Sequence, residues 1–150
     1  MSRFSKRAYG AAVIKSINSN YNADCTHQPR TLPDGRVYAT DKALKYLVRN
    51  YLKHETNERI FYYKTLKEDT LNPRSLDETY EKYYGDIPKG EGKGAEKEAS
   101  RKRGMLANLL TSLDVRLFGG TYAGSTNLSM HGPVQITHGI NQFIRGEIYS

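Results

Sequence analysis

The apolar residues of this chain fall into separate runs, and their spacing changes from one run to the next. From Ala8 to Ile17 (AYGAAVIKSI) they are nearly continuous, which predicts a central strand covered on both faces. The next stretch, NSNYNADCTHQPRTLPDGR, is rich in Asn, Asp, Pro and Gly; it predicts a long loop, with PDG as a turn. ATDKALKYLVRNYLKHE then shows helical spacing. Thr40 suits the N-cap and Asp41 the positive end of the helix dipole. Leu44, Leu47, Val48 and Tyr51 form an apolar stripe, expected to pack, while Lys42, Lys45, Arg49 and Lys53 form a basic row on another face.

The run Ile60 to Leu66 predicts a second strand, and Asp77 to Tyr84 a short helix after turns. DIPKGEGKGAEKEASRKRG alternates charges among glycines and has little apolar surface to offset the entropy of ordering, so it predicts an exposed, flexible segment. Met105, Leu106, Leu109, Leu110 and Leu113 predict a second amphipathic helix. Asp114 to Phe118 either continues it or begins a strand. Val134 to His138 and Gln142 to Ile148 read as closing strands. The order β-α-β, insertion, α-β-β predicts an α+β fold: one ferredoxin-like (RRM-like) antiparallel sheet with helices on one face, a single domain over 1–150 with an insertion at 67–100.

Composition narrows the function. With 150 residues, 37% hydrophobic and 26% charged, the chain can build one globular core. No run approaches the length of a membrane span, and MSRFSKRAYG lacks the apolar centre of a secretory signal. A lone cysteine, Cys25, fits a reducing, cytoplasmic setting. The net charge of +7 favours a polyanionic partner. Twelve tyrosines and no tryptophan leave stacking on bases open beside ordinary packing.

Enzyme chemistry finds weak support. Cys25 and His27 lack the paired spacing of a zinc site, and no cofactor is expected. Ser129 has no nucleophile-elbow frame. His131 or His138 with Asp24 or Asp114 could form an acid–base pair for RNA cleavage, but nothing in the spacing requires it. DVRLFGGTYAG matches no phosphate-loop fingerprint, although its glycines allow backbone amides to approach an anion. The basic row has more to recommend it, because a polar loop holding Arg30 leads into the helix N-terminus, which itself attracts phosphate.

Three stretches then carry a resemblance. TDKALKYLVRNYL resembles a first-helix motif in which Thr-Asp is followed by a Leu-Lys pair and an Arg. DVRLFGG and GPVQITHG resemble the paired signature further along, and INSNYNADCTHQPR is similar to the family's first strand and loop. Together they resemble the backbone subunit of type I CRISPR Cascade complexes, the Cas-seven superfamily, most nearly its type I-B branch.

The resemblance implies an RRM-like palm, copies of which line up along one guide RNA (crRNA) and hold its phosphates without cutting. Lys45 and Arg49 match the basic pair of the first helix, and Arg30 the basic end of the preceding loop. Gly119 and Gly120 match the glycines after RLF, and Gln135 belongs to GPVQ. Lys42 and Arg116 complete the expected RNA-binding set. The implied partners are guide RNA, target DNA through the guide, further copies of the chain and other Cascade subunits, with no membrane. Family members are longer, so the chain would correspond to their N-terminal half, a fragment or a reduced variant with an incomplete sheet. By position, 67–100 would correspond to a finger-like part that touches target DNA. An RNA endonuclease using Asp24 and a general single-stranded RNA-binding module are the rival readings.

Overall fold

The computed structural model describes residues 5–143. Its elements in chain order are β1 (Tyr38–Ala39), α1 (Asp41–Glu55), α2 (Leu76–Tyr84), α3 (Gly94–Leu109), α4 (Leu113–Phe118), β2 (Gly119–Ala123), β3 (Asn127–His131) and β4 (Gly139–Ile140). The class is α+β, as expected. Among the described residues the strands form two two-stranded antiparallel sheets, β1–β4 and β2–β3, in place of one continuous sheet. The chain divides into two compact units: one takes the residues up to Thr40 and those from His138 onward, the other Asp41–Thr137.

The larger unit is built around aromatic residues. Its core joins Phe61, Tyr80 of α2, Met105 and Leu109 of α3, Val115 of α4 and Tyr122 of β2. Met105 and Leu109 are four apart and share one face of α3. Leu76, Tyr80, Tyr83 and Tyr84 repeat at helical spacing on α2 and face the same core. In β3 the half-buried residues alternate, Leu128 and Met130 turning inward between exposed neighbours, as the two-residue period of a strand requires. The hairpin register pairs Gly119 with His131 and Ala123 with Asn127.

α2 begins with a capping box. The Ser75 hydroxyl accepts from the Glu78 amide, and the Glu78 carboxylate accepts from the Ser75 amide at 2.8 Å. Hydrogen bonding and charge from Lys67, with the Ser75 amide, hold the Glu78 carboxyl down at about 2. One residue along, Asp77 grips the hairpin turn. It accepts from the Ser125 amide at 2.9 Å and from the Tyr122 hydroxyl, and Arg101 of α3 donates to the Ser125 hydroxyl at 2.7 Å. Burial pushes Asp77 upward, but the bonds from Tyr122 and Ser125 and the Arg101 charge outweigh it, so its carboxyl lies below its ordinary value. Tyr122 is raised by burial and then by donating to Asp77.

These contacts revise the expectation for 86–104. The helix starts at Gly94, well before Met105, because its alternating Glu, Lys and Arg side chains are good helix formers and two of them find partners on the turn: Glu98 accepts from Thr126, and Arg101 binds Ser125. Within 67–100, Tyr80 is fully buried.

In the smaller unit, β1 and β4 pair Tyr38 with Ile140 and Ala39 with Gly139. The PDG turn forms as expected: Gly35, at φ 81°, donates to Leu32 O at 2.9 Å. Asn22 fastens the end of this unit, accepting from the Thr40 amide at 2.9 Å and the Thr40 hydroxyl at 3.2 Å.

Three strand expectations are corrected. Residues 8–17 are not a strand; no described segment pairs with them, and Tyr9 and Val13 stand 88% and 95% exposed. Ile60 and Phe61 are buried, but 60–66 is not a strand, since the amides of Phe61 and Tyr62 bond to a side-chain carboxylate and Leu66 makes only a bridge with Pro73. Val134 to His138 is irregular, with the Val134 amide bonded to Leu117 O at 2.9 Å. Of the strand expected at 142–148, Gln142 and Phe143 are irregular and the remainder lies outside the described residues.

Candidate nucleic-acid interface

The carboxylate that claims those two amides is Asp114, in the first turn of α4. It is fully buried and accepts from Phe61 N at 2.8 Å and Tyr62 N at 2.9 Å. Its third partner is Arg49 of α1, Nε to Oδ2 at 3.2 Å. A buried anion demands a cation, and Arg49 supplies it while lying over two rings, Phe118 at 5.2 Å and Tyr62 at 5.9 Å. Burial and then the Asp114 charge push the Tyr62 phenol up to about 12. Asp114 is thereby an anchor of the core, closed to the acid–base role weighed for it.

Lys45, one turn before Arg49, reaches the same ring: its Nζ lies 5.8 Å from the Phe118 centroid and 2.9 Å from Asp41. Lys45 and Arg49 therefore converge on Phe118, the residue immediately before Gly119. Of the basic row, Lys45 and Arg49 lie beside the glycine turn, while Lys53 stands over Tyr63 at 4.0 Å.

The apolar stripe of α1 does not pack as expected. No residue of the helix is buried, and Leu47 and Tyr51 are 46% and 63% exposed. What fastens α1 is its polar side, through Arg49 to Asp114 and Asn50 to the Tyr63 hydroxyl at 2.8 Å. Periodicity located the helix correctly, but of the stripe only Leu44 and Val48 are half-buried.

The other expected RNA contacts are distributed as follows. Lys42 is exposed on α1. Arg116 is exposed on α4 and pairs with Glu58 at 3.4 Å. The Gln135 side chain donates to Gly132 O at 2.6 Å. Gly119 adopts φ 68°, and its amide bonds to Val115 O. A Cβ there would overlap the backbone at Met130, and one at Gly120 would overlap the Tyr62 ring. Both glycines are accounted for by the protein's own packing. Arg30 belongs to the smaller unit, half-buried, its Nε with no hydrogen-bond partner among the described residues.

Asp24, the candidate of the nuclease reading, accepts from the Thr26 hydroxyl at 2.7 Å, the Thr26 amide at 2.8 Å and the Gln28 amide at 3.1 Å. The Thr26 bonds hold its carboxyl below the usual range. This is the chemistry of a loop lock. Among the described residues no three His, Cys, Asp or Glu side chains gather where they could hold a metal ion, and no helix is long and apolar enough to cross a membrane.

Fold and site together define a small α+β domain in which a basic helix is set against a hairpin bounded by glycines. The chain matches the family described as CRISPR-associated protein Cas7 over residues 6–143, and it belongs to that family. It is accordingly a CRISPR-associated effector subunit. No curated protein and no solved structure matches it.

Proposed function

We propose that this chain is a non-catalytic backbone subunit that holds guide RNA by its phosphates, in the manner of type I Cascade, with target DNA met through the guide and further copies of the chain beside it. The observation that supports this most is the convergence of Lys45 and Arg49 on Phe118, next to the glycines, in a chain of this family with net charge +7. Lys42 and Lys45 are the phosphate-binding pair. Arg49, already committed to Asp114, positions the helix that carries them and lends the site its remaining N–H groups.

Phosphate neutralisation is blind to sequence and weakens with salt. The double change Lys42→Ala and Lys45→Ala should weaken binding of single-stranded guide RNA equally for all sequences. It should also flatten the salt dependence by about 0.7 per lost phosphate contact. Unchanged affinity and slope would remove this face from the RNA site. Magnesium-dependent cleavage of guide or complementary RNA that Asp24→Ala abolished would replace the reading with the nuclease.

A further inference from the structure

α1 carries a second functional face, which the family match does not assign. Tyr46, Asn50, Lys53 and His54 follow one another at helical steps and meet Tyr63, the residue two after buried Phe61. The Tyr46 and Tyr63 rings are nearly parallel, 12° apart with centroids at 6.2 Å. Tyr63 is held by its hydroxyl bond to Asn50 and by the edge of His54 at 6.4 Å. Lys53 Nζ stands 4.0 Å from the Tyr63 centroid. Tyr46 is 57% exposed. A paired, pre-oriented aromatic platform is thus left open to solvent at the surface of a basic helix.

The charge around the platform selects its occupant. Neither Lys53 nor Lys82 of α2 forms an ion pair among the described residues. The Lys53 ammonium is held below its ordinary pKa first by burial and then by the like charge of Lys82. A cation without an ion-pair partner, standing over the ring that backs the open one, suits a ligand that is flat and apolar at one point and anionic at the next. An apolar protein surface would leave the Lys53 charge without a counter-charge and desolvate it. A nucleotide unit offers a base and a phosphate together.

We propose that Tyr46, backed by Tyr63, stacks an unpaired base of a single-stranded nucleic acid, and that Lys53 takes the adjoining phosphate. This rests on the reading of the protein as an RNA-binding subunit and adds to it a contact that needs the base.

An abasic ribose-phosphate oligomer and an oligouridylate of equal length separate the two ideas, since they carry the same charge. The wild-type chain should bind both, the oligouridylate more tightly. Tyr46→Ala should weaken oligouridylate binding roughly tenfold, in line with the loss of one stacked base, and leave abasic binding unchanged. Tyr46→Phe should restore it. Because the chain has no tryptophan, Tyr46→Trp places a single reporter whose emission should be quenched by oligouridylate and not by the abasic oligomer. Equal wild-type affinity for the two oligomers, or a Tyr46→Ala effect of the same size on both, overturns the stacking site and leaves the phosphate reading standing. Failure of the wild type to bind either oligomer overturns both. A Tyr46→Ala chain with unaltered nucleic-acid binding but lost self-association would make the platform a protein contact and overturn the proposal.

Discussion

Two aspartates do similar work in different surroundings. Asp114 fixes the short helix that runs into the hairpin, and Asp77 fixes the turn that closes it. Each gathers backbone amide and side-chain donors from distant parts of the larger unit. Asp114 is fully buried and holds an arginine directly; Asp77 lies nearer the surface, uses neutral donors, and meets Arg101 through Ser125. Out of water an anion needs its own cation, whereas at the edge hydroxyls and an amide suffice. The inner cluster should therefore be the brittle one.

The largest expected effect follows from that difference. Asp114→Ala leaves Arg49 half-sequestered without its partner and two amides without an acceptor, so it should cost about 3–5 kcal/mol in urea unfolding, enough to threaten the fold. Arg49→Ala should cost a similar amount, and the double variant distinctly less than the sum of the two. Additive losses would show that the pair is not coupled. Asp77→Ala should cost about 1–3 kcal/mol, because the Tyr122 hydroxyl loses its acceptor. If it cost more than Asp114→Ala, the ranking by burial would fail.

Acid sharpens the same contrast. The folded-state pKa of Asp77 is depressed below the unfolded value of about 3.9, so its contribution is complete above that value and disappears as the pH falls through the folded one. The difference in melting temperature between the wild type and Asp77→Asn should hold from pH 7 to pH 5 and shrink below about pH 4. The smallest expected effect is at the start of α2: Ser75→Ala should lower stability by about 1 kcal/mol, read as a shift of the urea midpoint with an unchanged slope.

What the sequence disclosed and what it hid follow from the range of the forces involved. α1 and the PDG turn were legible because helical spacing and turn chemistry act over a few residues. The capping box at Ser75 and Glu78 was equally local; the pattern S-x-x-E would have sharpened the start of α2. The strand expectations failed where pairing depends on distant chain. The run at 8–17 has the composition of a strand but no described partner, and 60–66 gives the amides of Phe61 and Tyr62 to an aspartate more than fifty residues away. Likewise, no window could show that Arg49 serves Asp114 or that Tyr46 meets Tyr63. Within the candidate site, helix periodicity grouped Lys42, Lys45 and Arg49 on one face of α1, but the convergence of Lys45 and Arg49 on Phe118 and the filling of the space beside Gly119 and Gly120 depend on tertiary contact.

The close passage of the chain where the hairpin opens has one more consequence. A side chain at Gly132 would overlap Leu117 O, just as one at Gly119 would overlap Met130 O. Two main chains there touch with no room for even a methyl group. Natural selection would then keep both positions as glycine in any descendant of this fold, whether or not it still handled RNA. Invariance at these two sites across species would be a record of architecture, and mapping the ligand from it would mistake a hinge pin for a fingertip.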